Sequence, residues 1–449
     1  MNRFTPIIAK AAAILVIAAS AVFASARADE NGIVEVRTPS GVVAWLKQEP
    51  AIPMIAVSAT WRDAGSVAET ADKAGRANLL AAMLDEGAGD MDSQTFQQHL
   101  DDHAIRLSFE AGRDSFNMTL QTLTEQAGEA FRMAGLALSA PRFDSEPLER
   151  MRAQIQSQIA RSLQNPNSIA GRAFSELAFA GDRYGQPTDG TLETVAALGA
   201  ADLTAHMTAI GRDNLVIGVV GDISPEALAP LLDAAFGALP EKAARPDTGA
   251  AAFTSGGAEK YIDYDSPQTV FVFGTPGLLR EDPDFDAARV MNHILGGGGF
   301  SSLLTEEIRE KRGLTYGVYS YLRPMDRAGM WLGGLSTSND KAAEAVSVLK
   351  STIARFRDDG PTAEQLEKAK ANINGAFPLR FASNSAIAGL LVAIQRYDLG
   401  RDYMQRRPER INAVTVDDIK RVADRILRLD DMILIGVGRP EGLTPARTD

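Results

Sequence analysis

Histidine and cysteine, the side chains that most often carry metal and nucleophilic chemistry in proteins, are scarce in this 449-residue chain. No cysteine is present, which excludes disulfides, thiol catalysis and zinc sites built on cysteine. Two of the four histidines, His99 and His103, stand in a His-Leu-Asp-Asp-His string. On a helix they would share one face and could hold a metal, and the alternative is a solvated helix end before a strand. The other two, His206 and His293, fall in apolar helical patterns, which predicts partly buried side chains.

Glycines form a second cluster that could have a chemical role. Gly296, Gly297, Gly298 and Gly299 follow an apolar stretch, and no Gly-Lys-Ser or Gly-Lys-Thr comes after them, so they do not form a phosphate-binding loop. Glycine at such a position ends a helix and permits close approach to the backbone. The whole chain has 46 Lys and Arg against 58 Asp and Glu, a net charge of −12, which argues against nucleic-acid binding.

The first 28 residues have the pattern of a secretory signal peptide. Arg3 and Lys10 form a basic start, residues 11–24 are almost wholly apolar, and Ala26-Arg27-Ala28 supplies a small-x-small cleavage pattern. The apolar run is shorter than the roughly 20 residues of a membrane span. We therefore expect export to the periplasm or the medium and no membrane attachment after cleavage, with an uncleaved anchor as the alternative.

A linker-like segment divides the mature chain. Residues 241–260 are rich in Pro, Gly, Ala, Ser and Thr and lack hydrophobic periodicity. The predicted domains are therefore residues 29–240 and residues 261–449.

The two domains repeat each other. Leu148-Glu149-Arg150 opens a helical stretch, and Leu366-Glu367-Lys368 opens another one 218 positions later. The apolar string Ile217-Gly218-Val219 has its counterpart in Ile435-Gly436-Val437 at the same offset. Two equal offsets indicate the duplication of one structural unit.

Hydrophobic spacing predicts the elements of this unit. Strands are expected at residues 42–46, 55–61, 107–109, 117–123, 270–273 and 330–335. Asp72 is the predicted N-cap of a helix that carries Ala77, and Thr415 with Asp418 predicts a capping pair before the last helix. The expected fold class is α+β, with two homologous repeats that each form an antiparallel sheet covered by helices on one face.

Strings in both domains match one protein family. In the second, Asn292-His293-Ile294-Leu295 leads into the four glycines, and Ile308-Arg309-Glu310-Lys311-Arg312-Gly313-Leu314-Thr315-Tyr316 follows. In the first, Gly75-Arg76-Ala77-Asn78-Leu79-Leu80-Ala81-Ala82-Met83-Leu84 matches an active-site helix. The chain resembles the pitrilysin/insulinase zinc metallopeptidases, including the mitochondrial processing peptidases, over nearly its whole mature length. The resemblance implies their two-repeat fold.

The family's active-site helix carries H-x-x-E-H, in which the histidines bind zinc and the glutamate activates the metal-bound water, and a downstream glutamate completes the ligands. At the matching positions this chain has Asn78, Ala81 and Ala82, and the downstream glutamate falls on Gln158. Alanine has no donor atom, and a neutral amide is a poor zinc ligand. The resemblance therefore implies a degenerate site, and we expect this chain to bind no metal or cofactor there.

The second domain keeps residues that the family uses. In intact members an arginine and a tyrosine of this domain engage the substrate, and the resemblance places them on Arg309 and Tyr316. Such donors stabilise the oxyanion that forms at an attacked peptide carbonyl. The alternative is a solvated Arg309 and a Tyr316 that packs. A comparable glycine-rich loop touches substrate in the processing peptidases, which implies substrate binding by residues 296–299, with plain helix termination as the alternative.

Some bacterial relatives are heterodimers in which one chain carries the zinc motif and the other the arginine and tyrosine. We therefore predict a non-catalytic partner subunit of a periplasmic heterodimeric zinc metallopeptidase, inactive alone. Zinc is expected on a paralogous partner subunit, and peptides or unfolded polypeptides are the expected substrates. Two alternatives stay open: a catalytically silent structural or peptide-binding protein of the same fold, and an active metallopeptidase with a relocated His99/His103 site. The sequence does not identify the substrate, the partner or any homo-oligomer.

Overall fold

The computed structural model describes residues 32–246 and 249–443, so the predicted signal peptide lies outside the described residues. Sheet 1 consists of β1 (Ile33–Arg37), β2 (Val43–Gln48), β3 (Met54–Arg62), β4 (Arg106–Ala111), β5 (Ser115–Leu123) and β6 (Leu215–Gly221). Their spatial order is β1-β2-β6-β3-β5-β4. Neighbouring strands are antiparallel except β2 and β6, which run parallel with Ala44 opposite Ile217.

Sheet 2 consists of β7 (Glu259–Asp263), β8 (Gln268–Pro276), β9 (Val318–Pro324), β10 (Gly329–Ser338) and β11 (Ile433–Gly438). Their spatial order is β7-β11-β8-β10-β9, and only β7 and β11 run parallel. Strand for strand, this order repeats β2-β6-β3-β5-β4 of sheet 1. In both sheets the last strand of the repeat inserts between two earlier strands.

This equivalence confirms the duplicated α+β fold. Ile217 and Ile435, which lie 218 positions apart, are both fully buried in the matching strands β6 and β11. One detail differs from the expectation of purely antiparallel sheets: each sheet contains one parallel pair. The last strand of each repeat inserts between two strands that run in opposite directions, so it must run parallel to one of them.

Helices pack on the sheets. They are α1 (Arg76–Met83), α2 (Ser93–Asp102), α3 (Ala127–Ser139), α4 (Ser145–Ser162), α5 (Pro166–Ala178), α6 (Leu192–Ala197), α7 (Ala200–Met207), α8 (Pro225–Phe236), α9 (Phe285–Asn292), α10 (Ala342–Asp359), α11 (Ala363–Gly375), α12 (Asn384–Arg396), α13 (Tyr403–Ala413) and α14 (Val416–Ile426). The predicted capping pair of Thr415 and Asp418 before α14 is confirmed. Among the described residues no single helix is long and apolar enough to cross a membrane, and one bent pair, Ala363–Phe381 with Asn384–Arg396, meets that test only jointly.

The two halves exchange one helix each. α12, from the second half, packs on β6 and β3 of sheet 1, where Ile387, Ala388 and Leu391 join a cluster with Val220. α5, from the first half, packs on β11 and β8 of sheet 2 through a cluster that includes Phe174. The expectation of helices on one face only is therefore wrong. The central strands β3 and β8 are buried on both faces, so each sheet needs a second cover.

Ion pairs reinforce the contact between the halves. Arg327 Nη2 lies 2.6 Å from Asp63 Oδ1, and Arg396 Nη1 donates to Ser115 Oγ at 3.1 Å. The Arg62 guanidinium donates to the backbone carbonyl oxygen of Gln395, at the end of α12, at 2.7 Å. These contacts join residues that are far apart in sequence, and they hold α12 in place over sheet 1.

Helix α1 is capped by Glu69 and not by the predicted Asp72. Asp72 lies in the separate 3-10 turn Ala71–Lys73 and is exposed. The Glu69 carboxylate is buried and accepts hydrogen bonds from the backbone N–H groups of Gly75, at 2.9 Å, and Ala77. Burial raises the pKa of Glu69 to about 7, although the two amide donors act in the opposite direction. The cap comes from outside the helical pattern because Gly75, with a φ of 90°, turns the chain just before α1.

His206, on α7, packs beside the same helix start. It is 1% exposed and so more buried than predicted. Its Nδ1 accepts a hydrogen bond from Arg76 Nε at 3.2 Å, and its Nε2 donates to the carbonyl oxygen of Ala64 at 2.9 Å. Burial lowers the pKa of His206 to about 4, and the charge of Arg76 acts in the same direction. The imidazole is therefore neutral at neutral pH.

The packing of α12 on sheet 1 can be tested at Gly218. A Cβ at this position of β6 would overlap the carbonyl oxygen of Ala388 and lie 2.9 Å from the Leu391 Cβ. We expect Gly218→Val to lower the free energy of unfolding by about 1–3 kcal/mol in urea titrations, because a packed interface must move. The matched control is Gly389→Ala on the same helix, where open space surrounds the new methyl group, and we expect it to stabilise by about 0.5–1 kcal/mol. Equal effects of the two substitutions would contradict the helix exchange.

The opposite pKa shifts of His206 and Glu69 predict opposing pH dependences of stability. The pKa of His206 is depressed from 6.5, so its contribution is fully present above pH 6.5 and is lost as the pH falls toward 4. The pKa of Glu69 is raised from 4.5, so its contribution is present below pH 4.5 and is lost as the pH rises through 7. Each contribution amounts to about 3 kcal/mol over its window.

Single variants should separate these two contributions. With His206→Gln, the free energy of unfolding should decrease more steeply than in the wild type as the pH rises from 4.5 to 7. With Glu69→Gln, it should increase more steeply from pH 4 to pH 6.5. Urea unfolding at several pH values measures both slopes. Parallel curves for the wild type and the two variants would show that neither group titrates as described.

Candidate functional site

Helix α1 carries three of the four positions that match the family's zinc motif. Asn78 and Ala82, four residues apart, are half-buried on one face of the helix. Ala81 is buried, and it belongs with Leu79 and Leu80 to the main core cluster of the first half. The helix therefore acts as a packing element, and the face that would hold a metal presents an amide and a methyl group.

Gln158, the fourth position, does not face α1. It lies on the exposed side of α4, where its Oε1 accepts a hydrogen bond from Arg161 at 2.7 Å. Ile155 and Ile159 occupy the buried side and join the same core cluster as α1. The helical spacing of Leu148, Ile155 and Ile159 is the sequence signal that sets this orientation. Two methyl groups, one amide and an outward-facing glutamine do not fit a zinc ion, so these residues do not form the family's metal centre.

His99 and His103 lie at the end of α2 with their rings stacked, the centroids 4.2 Å apart. One nitrogen of each ring has another partner. His99 Nε2 pairs with the Glu129 carboxylate, and His103 Nδ1 lies 2.9 Å from the carbonyl oxygen of His99. Hydrogen bonds from Arg132 and His99 lower the pKa of Glu129 to about 2. Within residues 32–246 and 249–443, no group of three or more His, Cys, Asp or Glu side chains is arranged to hold a metal ion.

The glycine segment, residues 296–299, follows α9 and is anchored by Asn292. The Asn292 Oδ1 accepts hydrogen bonds from Ser320 Oγ at 2.8 Å and from Trp331 Nε1 at 2.9 Å. Its Nδ2 donates to the carbonyl oxygen of Ser320 at 3.1 Å. A single buried amide thus ties the end of α9 to β9 and β10. His293, the next residue, is half-buried, as predicted.

Close packing explains three of the four glycines, because a Cβ at Gly296, Gly297 or Gly298 would come within 2.7 Å of neighbouring atoms. Gly296 is buried against β9, and a Cβ there would overlap the Ser320 side chain. Gly297 and Gly299 are exposed, and Gly299 has a φ of 63° with open space around it. The segment therefore combines a packed end with an exposed backbone that another molecule can approach.

Arg309 lies in the π-helical turn Thr305–Glu310. Its guanidinium stacks 4.7 Å from the centroid of the Phe300 ring, and its Nε lies 3.8 Å from a carboxylate oxygen of Glu310. Phe300 follows the glycine segment directly, so this contact brings two of the predicted site elements together. Tyr316 is 88% exposed and therefore does not pack against the protein.

Two further aromatic residues of this region were not predicted. Tyr319 and Tyr321 lie on β9, the outermost strand of sheet 2, and their rings stack with centroids 6.2 Å apart. We group them with Phe300 and Tyr316 under the name aromatic surface, and these four are among the eight large hydrophobic side chains exposed in the described residues. The alternation of Tyr with buried residues along β9 was the available signal. Such a concentration marks a contact surface.

Comparisons with known proteins identify the family and several relatives of this chain. Residues 52–192 match the family described as "Insulinase (Peptidase family M16)", and residues 203–373 match the "Peptidase M16 inactive domain". A Helicobacter pylori protein named "Non-peptidase homolog YmxG" is 27% identical over 77% of this chain and 79% of its own length. The mitochondrial-processing peptidase subunit beta of Lentinula edodes is 24% identical over 85% of both chains.

A solved structure provides the matching fold. The peptidase M16 inactive domain from Pseudomonas fluorescens superposes with a TM-score of 0.86 and 27% sequence identity, and the match covers 92% of this chain and all of the other. The chain belongs to the peptidase M16 (insulinase) family.

Proposed function

We propose that this chain is the non-catalytic partner subunit of a periplasmic heterodimeric zinc metallopeptidase. The observation that carries the proposal is the contrast between the two halves. α1 has no zinc-donor set, whereas Arg309 and Tyr316 have accessible donor groups, and Arg309 contacts Phe300 next to the glycine segment. A paralogous subunit with an intact H-x-x-E-H motif would hold the zinc ion, and this chain would hold none. The name of the H. pylori relative supports the loss of catalysis.

Arg309 and Tyr316 have the chemistry for transition-state stabilisation. Peptide hydrolysis places negative charge on the carbonyl oxygen, and donors already aimed at that oxygen lower the barrier. The Arg309 guanidinium is permanently charged, and Tyr316 offers a phenolic O–H. Stacking on Phe300 restricts the Arg309 side chain, which reduces the entropy lost when it binds.

The aromatic surface and the exposed glycines suit peptides or unfolded polypeptides. Tyr319 and Tyr321 offer flat apolar rings, and Gly299 leaves room for a second backbone. The basic and apolar pattern of residues 1–28 supports export to the periplasm. The same aromatic surface favours a second candidate, a catalytically silent peptide-binding protein that needs no zinc-bearing partner.

The complementing role can be tested at Arg309 and Tyr316. The chain is mixed with a paralogous chain that carries H-x-x-E-H, and cleavage of an unstructured fluorogenic peptide is measured. We expect Arg309→Ala and Tyr316→Phe each to lower kcat by about 10²- to 10³-fold, the usual loss for one oxyanion donor. The matched controls are Arg439→Ala, which removes an exposed arginine paired with Asp263, and Tyr264→Phe.

Complex formation, measured by size-exclusion chromatography, should be the same for all four variants. If the mixture cleaves the peptide and the Arg309 and Tyr316 variants are as active as the controls, then this chain does not supply catalytic groups to the active site of its partner. If no zinc-bearing chain associates and the chain alone binds the peptide, the silent peptide-binding protein is the correct function.

The metal content of the chain alone is a separate test. We expect the purified chain to contain far less than one equivalent of zinc after equilibration with zinc and gel filtration, because α1 presents no donor set and one nitrogen of each of His99 and His103 already has another partner. His103→Ala should leave this value unchanged. Stoichiometric zinc with chelator-sensitive cleavage, both abolished in His103→Ala, would instead establish the relocated metal site.

A further inference from the structure

A cavity of about 390 Å³ lies in the second half between α9, α12, α13 and the end of β9. Arg280, Arg289 and Arg380 line it together with Tyr397 and Tyr403. We call it the arginine cavity. Asn292, which anchors the glycine segment, also lines it, but none of its three arginines has a role in the peptidase partner function.

The arginines of the cavity form no ion pair with the described residues of the protein. Among the described residues, no carboxylate oxygen lies within 4.0 Å of the guanidinium nitrogens of Arg280, Arg289, Arg380 or the neighbouring Arg407, in a chain whose net charge is −12. The buried carboxylate of Asp286 on α9 is engaged by Arg410, whose Nε lies 2.7 Å from its Oδ2. Four guanidinium groups therefore share one region without a counter-ion of their own.

Aromatic rings hold these guanidinium groups in place. Arg280 is 6% exposed, lies 4.5 Å from the centroid of the Phe285 ring, and donates to the Tyr403 hydroxyl at 3.1 Å. Arg407 is 5% exposed and lies 4.2 Å from the centroid of the Phe377 ring. Its Nη1 is buried and has no hydrogen-bond partner. A buried, charged donor without a partner is costly to leave unsatisfied.

The field in the cavity is strongly positive. Burial lowers the pKa of Arg280 and of Arg407, and the charge of Arg289 lowers both further. Burial alone would raise the pKa of the Tyr403 hydroxyl, yet its pKa is lowered because Arg289, Arg280 and Arg407 favour the phenolate. The lowered pKa of Tyr403 therefore reflects the positive charges that surround its hydroxyl.

We propose that the arginine cavity binds a small organic anion, in which a carboxylate or phosphate group is attached to an apolar body. Guanidinium groups pair with either anion through two parallel hydrogen bonds. The apolar side chains of Leu390, Ile394 and Leu399 line the same cavity and would contact the apolar body. Its volume lies within the range of natural small-molecule sites. Carboxylates and phosphate esters share this chemistry, and separate probes distinguish them.

Binding is tested on the purified chain by calorimetry and thermal unfolding. The probes are hexanoate, hexyl phosphate, inorganic phosphate, hexylamine and hexan-1-ol. We expect hexanoate or hexyl phosphate to bind at least about tenfold more tightly than hexan-1-ol and to raise Tm, because one charge-assisted hydrogen bond contributes at least that factor. Hexylamine should not bind, since its charge has the wrong sign. The anion that binds more tightly identifies the headgroup that the cavity prefers, carboxylate or phosphate. Inorganic phosphate shows how tightly the cavity binds an anion that has no apolar body.

Variants link the binding to this cavity. We expect Arg289→Gln and Arg380→Gln each to weaken the binding of the better anion by about tenfold or more. The matched control is Arg421→Gln, which removes an exposed arginine that already pairs with Asp284 and Asp418 and should leave the affinity unchanged. In the absence of a probe, Arg289→Gln should not lower Tm, because it relieves repulsion among like charges.

Two results would overturn the proposal. The first is that the wild-type chain binds hexanoate, hexyl phosphate and hexylamine equally, or binds neither anion. This test uses no variant, so it does not depend on whether a variant folds. The second is an unchanged anion affinity when Arg289→Gln and Arg380→Gln are combined.

Discussion

The exchange of helices between the halves is the contact on which the rest of this molecule depends. β3 and β8 are apolar on both faces, so neither sheet is covered by the helices of its own repeat alone. α12 supplies the second cover for sheet 1 and α5 the second cover for sheet 2. Each half therefore completes the core of the other, and Gly218 is a glycine because the backbone of α12 lies directly on it.

The same exchange explains where the exposed site lies. α5 covers β11 and β8 but not β9, which is two strands further out in the sheet. Tyr321 is paired with Leu332 across the β9–β10 ladder, and Leu332 belongs to the apolar cluster under α5. Opposite residues of an antiparallel pair point to the same face. The tyrosines of the aromatic surface therefore continue the face that α5 covers, beyond the reach of that helix. Asn292 then brings the glycine segment to the same strand.

The chain has the fold of its family although α1 carries no set of zinc donors. The positions of α1 that the sequence matched to the zinc motif hold Asn78 and alanines, and the helix has core contacts and a buried cap, Glu69. Packing needs only apolar side chains of suitable size, whereas a zinc centre needs specific donor atoms at fixed distances. A member of the family can therefore lose its metal ligands without losing its fold. The second half kept Arg309 and Tyr316 accessible, and it also gathers guanidinium groups in the arginine cavity.

The sequence by itself determined whatever depends on local spacing or on the identity of a side chain. The repeat of Ile217 and Ile435 predicted the duplicated fold, Thr415 and Asp418 predicted their helix cap, and alanines at zinc positions ruled out ligands because a methyl group has no donor atom. Gln158 shows the limit, because its place in the alignment did not reveal that it faces solvent.

Only the tertiary structure decided which distant segments meet. Hydrophobic periodicity records that a residue is buried, but it does not record which element buries it, so α12 over sheet 1 was not predictable. Glu69 reaches α1 through the turn at Gly75, and Arg280 meets Tyr403 across 123 positions of sequence. Such contacts are set by the folding of the whole chain, because no local pattern distinguishes an arginine that pairs with a carboxylate from one that is held without a counter-ion.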